Sequence, residues 1–180
     1  MARLEYRKLL AGDVGEVAEL LAGGFAGFRE FAPRYWRAPE ASGEIPRLAG
    51  WVDDPVFWGQ LARDGPVLAG AATFVPATRH HVHPDPDPEL VHLAHLFVKP
   101  QYWGTGAARS LLHHAMRGAA GRGFTAMRLY TPAGQARARR FYEREGFAAA
   151  GGPQDRGLGL PVIEYRRPLP TRARPTGPDA

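Results

Sequence analysis

Val91-His92-Leu93-Ala94-His95-Leu96-Phe97-Val98-Lys99-Pro100-Gln101-Tyr102-Trp103-Gly104-Thr105-Gly106-Ala107-Ala108-Arg109-Ser110-Leu111-Leu112 is the stretch that decides the reading of this chain of 180 residues. Its first eight residues are largely apolar, with β-branched and aromatic side chains, which suits a buried strand. Pro100 has no N–H to give a ladder, so the strand should stop near Lys99. From Ala108 onward Leu111, Leu112, Ala115, Met116 and Ala119 recur at helical spacing, with Arg109, His113 and Arg117 opposite. A helix therefore begins at the glycines.

A strand, a tight turn with Gly104 and Gly106, and a helix leave backbone N–H groups converging on one spot, where the helix dipole adds partial positive charge. Such a spot suits phosphate. The pattern is not the dinucleotide fingerprint Gly-x-Gly-x-x-Gly, because position 109 is Arg, and no Gly-Lys-Ser/Thr follows to make a P-loop.

Composition narrows the rest. The length suits one domain, able to bury roughly two-thirds of the surface its unfolded chain exposes. With no cysteine there is no disulfide framework, thiolate metal site or cysteine nucleophile. The N-terminal residues alternate charge with apolar side chains, and no apolar run approaches a membrane span, so a cytoplasmic protein is expected, with no membrane partner. Net charge is +5. Residues 91 to 150 hold Lys99 and eight arginines against Glu143 and Glu145, a surplus of seven, while the remaining 120 residues sum to −2. The positive charge lies on the segment expected to hold a polyphosphate, not in a broad stripe with a docking motif for nucleic acid.

In chain order, Leu4 to Leu9 suggests a first strand. Asp13 and Glu16 have capping-box spacing before an amphipathic helix through Phe28. Residues 29 to 55 mix aromatics, arginines and prolines with only short helical possibilities, and read as a lid or a packed loop. Val56–Leu61 and Val67–Val75 form an expected antiparallel hairpin about Arg63-Asp64-Gly65-Pro66. The proline-rich connector over 76–89 carries His80, His81, His83, Asp85 and Asp87, ligand types for a divalent metal, but nothing orients them and no metal is predicted. After the central helix, Gly121-Arg122-Gly123 precedes a strand over Phe124–Tyr130, then a short helix capped by Gly146 with Phe147 beside it. Strand–helix–strand–helix succession predicts a parallel central pair. A connector over Ala150–Pro161 leads to a last strand at Val162–Arg166. The domain is expected to span 1–169, with 170–180 a frayed tail.

Two blocks resemble the GCN5-related N-acetyltransferase (GNAT) superfamily. One is Gln101-x-x-Gly104-x-Gly106 after Val98-Lys99-Pro100. The other is Gln135-x-x-Ala138-x-x-Phe141-Tyr142-x-x-x-Gly146-Phe147, where Gln135 replaces the usual Asn. The likeness runs from about Leu4 to Leu169. It implies a single α/β domain, a mixed central sheet flanked by helices with antiparallel N-terminal strands and a parallel central strand pair. It also implies acetyl-CoA, bound as coenzyme A by Gln101, Tyr102, Trp103, Gly104, Thr105, Gly106 and Ala107, with Phe97, Val98 and Gln135 along the pantetheine arm.

Transfer of an acetyl group to an amine needs a neutral amine, a stabilised oxyanion and a proton for the departing thiolate. By the resemblance, backbone N–H near Phe97 and Val98 meets the second need and Tyr142 the third. Where many relatives carry Glu on the central strand, this chain has His92, which titrates near neutrality. In a regular strand His95 points to the opposite face, unless a bulge intervenes. His92 is the preferred base, with His95, or solvent and a backbone carbonyl, left open. The acceptor is a small-molecule or peptide amine, and a homo-oligomer is left open. Two other classes remain: an acyl-CoA sensor without turnover, and a basic nucleic-acid binder whose affinity would fall steeply with salt.

Overall fold

The computed structural model describes residues 4–80 and 82–170. Its frame is one mixed sheet in the order β1-β2-β3-β4-β5-β8-β6, with β7 paired to β8 outside that path. The strands are β1 (Glu5–Lys8), β2 (Trp58–Asp64), β3 (Val67–Pro76), β4 (Leu90–Val98), β5 (Ala126–Pro132), β6 (Ala148–Ala149), β7 (Gln154–Asp155) and β8 (Pro161–Pro168). β1 to β4 pair antiparallel and β4 pairs parallel with β5, as the sequence predicts. The crossover after β5 also returns a strand, β6, in the direction of β5. β8 slots between them, antiparallel to both.

Helices α1 (Val14–Ala26) and α2 (Ala41–Val52) cover one face, and α3 (Ala107–Ala120) and α4 (Ala136–Arg144) the other. Each layer follows from its apolar stripe. Leu111, Leu112, Ala115, Met116 and Ala119 of α3 are all buried, and Val17, Ala18 and Leu21 of α1 sit with Leu61, Leu68 and Val75 of the sheet. α4 ends as its sequence predicts: Gly146 is left-handed (φ 82°), the Phe147 N–H donates to Tyr142 O at 3.0 Å, and the Phe147 ring packs on Tyr142.

Several local expectations need correction. Asp13 does not cap α1. Its carboxylate accepts the Leu10 N–H at 2.9 Å and pairs with Arg7 at 2.6 Å, ending a short 3-10 turn at Ala11–Asp13, while Glu16 reaches Arg63 at 2.8 Å. Residues 29–55 contain a full helix, α2, despite Pro46 inside it. Glu44, Leu48, Trp51 and Val52 share its inner face, and full burial of Leu48 offsets the one hydrogen bond that proline removes. β5 begins two residues later than expected, and the Ala150–Pro161 connector contributes the two-residue strand β7.

The connector over 76–89 is tied down by charge. Asp85 pairs with Arg128, which is only 3 % exposed, at 3.3 Å and with Arg166 at 3.0 Å; Arg128 also donates to His83 O. At the C-terminal side the buried Leu169 anchors the chain through its N–H to Thr125 O at 2.8 Å. Of the tail expected at 170–180, residues 171–180 lie outside the described residues. Among the described residues no helix is long and apolar enough to cross a membrane.

Candidate active site

The parallel contact between β4 and β5 lasts only from Leu90↔Ala126 to His92↔Arg128. Beyond it the strands part, leaving the second half of β4 with one unpaired edge over a cleft of about 1570 Å³. That exceeds the roughly 300–1,000 Å³ typical of a single drug-sized ligand, so there is room for two substrates. Lys99 N–H donates to Ala69 O at 2.8 Å, towards β3. Alternation along the strand then turns the N–H and C=O of Val98 and Leu96 to the open side and those of Phe97 to β3. The Trp103 indole Nε1–H donating to Val98 O at 2.8 Å marks that open side.

A bulge sits where the strands part. Phe74 faces Leu93 but Thr73 faces His95, so Ala94 is the extra residue. The bulge corrects the expectation that His92 and His95 take opposite faces: both lie on the α1–α2 side, and both line the cleft. Each is 4 % exposed. The His92 ring is 4.2 Å from that of His80 and 5.0 Å from that of Tyr130. His95 Nδ1 lies 2.8 Å from Thr73 Oγ1, and its ring packs near Phe25 and Trp51.

Past β4, a single 3-10 turn at Pro100–Tyr102 leads into the glycine turn. Gly104 (φ 81°) and Gly106 (φ 88°) are both left-handed, and a Cβ at either would meet open space. Gly106 opens α3, whose first N–H groups have no partner within the helix. The turn therefore fits a phosphate-bearing group. Thr105 serves the turn itself, its hydroxyl donating to Tyr102 O at 2.7 Å, and the Tyr102 hydroxyl donates to Asp64 at 3.2 Å. Of the residues expected to bind cofactor, Phe97, Val98, Tyr102, Trp103, Gly104, Gly106, Ala107 and Gln135 border the cleft, whereas Gln101 and Thr105 are exposed outside its wall. Gln135 accepts from the Thr131 hydroxyl at 3.3 Å.

Tyr142, on α4, lies against Phe141, Phe147 and Tyr165 and borders the cleft from below. Burial pushes its phenol well above the ordinary tyrosine range, so it stays protonated at neutral pH. The basic segment divides its labour. Lys99, Arg109, Arg137 and Arg144 line the cleft, and the Arg137 guanidinium stacks 3.9 Å above the Trp103 ring. Arg128 and Arg139 instead brace the sheet and α4.

Two contributors escape a sequence reading. Tyr130 brings a buried hydroxyl to the wall beside His92, and burial raises its pKa. Glu44 enters from α2, a helix whose Glu44-Leu48-Trp51 spacing was the available signal, obscured by Pro46.

A family model described as the Acetyltransferase (GNAT) family matches residues 25–147. A search of curated proteins finds no match. Among solved structures the chain resembles yncA of Salmonella typhimurium, solved with its cofactor acetyl-CoA, at TM-score 0.72 and 19% identity over 97% of this chain and 99% of that one. It also resembles the PaiA N-acetyltransferase of Thermoplasma acidophilum in complex with coenzyme A, at 0.69 and 16% over 92% and 99%. A third is the ribosomal-protein-S18-alanine N-acetyltransferase of Escherichia coli, at 0.65 and 17% over 97% and 98%.

Proposed function

Because this chain belongs to the acetyltransferase (GNAT) family, we propose that it is an N-acetyltransferase that moves an acetyl group from acetyl-CoA directly to an amine. One observation carries the reading: the open edge of β4, the glycine turn and the α1–α2 wall border a single continuous cleft. A donor entering at the turn and an acceptor entering beside α1 and α2 would meet along Phe97 and Val98.

The N–H groups of Gly106 and the first turn of α3, with the helix dipole behind them, would hold the pyrophosphate, and Lys99, Arg109 and Arg137 add positive charge nearby. Gln135 and the open edge at Leu96–Val98 would take the amide arm. Acetyl-CoA, when bound, supplies an activated acyl carbon and a thiolate leaving group. Val98 N–H, turned to the open side, would stabilise charge developing on oxygen. Tyr142, kept protonated by burial, gives a proton to the leaving sulfur. His92 takes the proton of the incoming amine. The Thr73 contact that orients His95 on the same face favours that residue as a second candidate, since a base fixed by a partner is pre-organised.

Thermal unfolding with saturating acetyl-CoA, followed by coenzyme A release across a panel of amines, tests this. Ligand at 100 times its dissociation constant should stabilise the fold by about 2.7 kcal/mol. A melt unmoved by acetyl-CoA and by coenzyme A rejects the proposal. Binding without thiol release from any amine leaves an acyl-CoA sensor.

A further inference from the structure

The carboxylate of Glu44 is 1 % exposed and borders the cleft from the first turn of α2, a position that suits negative charge. One oxygen, Oε1, lies 3.5 Å from Arg47 Nη1. Among the described residues no hydrogen-bond donor reaches the other, Oε2. A buried carboxylate oxygen without a donor is costly, because water has been removed and nothing has replaced it. A ligand that brings a donor, above all a cationic one, relieves that cost.

The surroundings fit the same ligand. Rings in contact run from the sheet to the mouth: Phe97 meets Phe25 at 5.1 Å and Phe28 at 6.1 Å, and Phe28 meets Trp36 at 6.4 Å. Trp51, two turns along α2 from Glu44, completes this wall against His95. Aromatic faces accept apolar bodies and attract cations. Glu19 and Glu30 border the cleft from the same α1–α2 side, as does Glu16, which is paired with Arg63; Arg37 and Arg47 line that side too, while the lysine and arginines of the phosphate end follow β4 or come from α3 and α4.

We infer that Glu44 is the specificity-determining residue of the acceptor end, and that the acceptor is a cationic amine carried on an apolar or aromatic body. This rests on the acetyltransferase reading for the word acceptor, but the ligand preference is measurable without turnover. Glu44 binds the cation through Oε2, Arg47 competes for the same carboxylate, and an anionic acceptor is repelled.

The test measures binding of 2-phenylethylamine, an ammonium ion at neutral pH, and of its neutral counterpart 2-phenylethanol by calorimetry. The parent should bind the ammonium about tenfold more tightly than the alcohol. Glu44→Gln should bring the two within about twofold, and Arg47→Met should widen the preference, because the competing guanidinium is gone. Equal signals from both compounds in the parent, including none, overturn the inference, as does a preference that survives in Glu44→Gln. If Glu44→Gln does not fold, a preference unchanged or reduced in Arg47→Met overturns it instead. A melt of the same parent sample with acetyl-CoA separates the two claims: a shift with no ammonium preference rejects only the role of Glu44, and an ammonium preference with no shift rejects only the acetyl-CoA reading.

Discussion

Thr73 Oγ1 and His95 Nδ1 lie 2.8 Å apart across β3 and β4, a contact that exists because Ala94 bulges out of the register. Both side chains are buried. Thr73→Val keeps the shape and removes the hydroxyl, so it should lower stability by about 1–2 kcal/mol. Denaturant unfolding checks this, and a Thr73→Val protein as stable as the parent would show that the contact does not hold the ring.

The proton path separates the two histidines. If His92 is the base, His92→Ala should lower turnover most below neutral pH and recover partly at higher pH, where more of the amine is already deprotonated. His95→Ala measured with the same amine is the comparison. A His92→Ala profile that overlays the parent, with the loss appearing in His95→Ala, moves the role to the histidine oriented by Thr73.

Tyr142→Phe keeps the ring between Phe141, Phe147 and Tyr165 but removes the donor, so turnover should fall by roughly 10²–10⁴-fold with acetyl-CoA affinity nearly unchanged. Full activity in this variant excludes the acid role. A separate effect should appear in alkali. The folded phenol is raised above its unfolded value of about 10, so its contribution is whole below that pH and is lost as pH climbs towards the folded value. The parent should therefore lose stability faster than Tyr142→Phe above about pH 10. Parallel stability curves there would contradict the burial of the hydroxyl.

Gly104→Asp places a side chain on a left-handed residue and a negative charge at the expected phosphate position. Affinity for acetyl-CoA should drop about ten- to hundredfold, while the unliganded protein loses only the roughly 1–2 kcal/mol that a side chain costs at a left-handed position, since the Cβ itself meets open space. Unchanged affinity in the folded variant relocates the phosphate site.

Asp85→Asn should destabilise by about 3–5 kcal/mol, because Arg128 would remain buried without its carboxylate. The Asp87 N–H, then Arg166 and Arg128, hold the Asp85 carboxyl below its ordinary range. Its contribution is present above the unfolded value and is lost as pH falls through the folded one. Acid titration of stability should be shallower in Asp85→Asn, and identical curves would show that the connector is not held by this ion pair.

What the sequence alone determined was whatever is written in neighbouring residues. Pro100 ends a strand, Gly104 and Gly106 make a left-handed turn into a helix, and Gly146-Phe147 closes α4; each is a local conformational preference that survives folding unchanged. The family, the parallel strand pair and the turn that opens α3 followed from these. Tertiary structure alone decided matters that depend on partners far along the chain. The bulge at Ala94 arises from pairing with β3 and puts His92 and His95 on one face. Helix α2 forms around Pro46 because Leu48 and Trp51 find α1 and β4 to pack against. Glu44 is an ordinary surface carboxylate by sequence and becomes a buried one only when that helix docks, since burial belongs to the assembled layers and to no single segment.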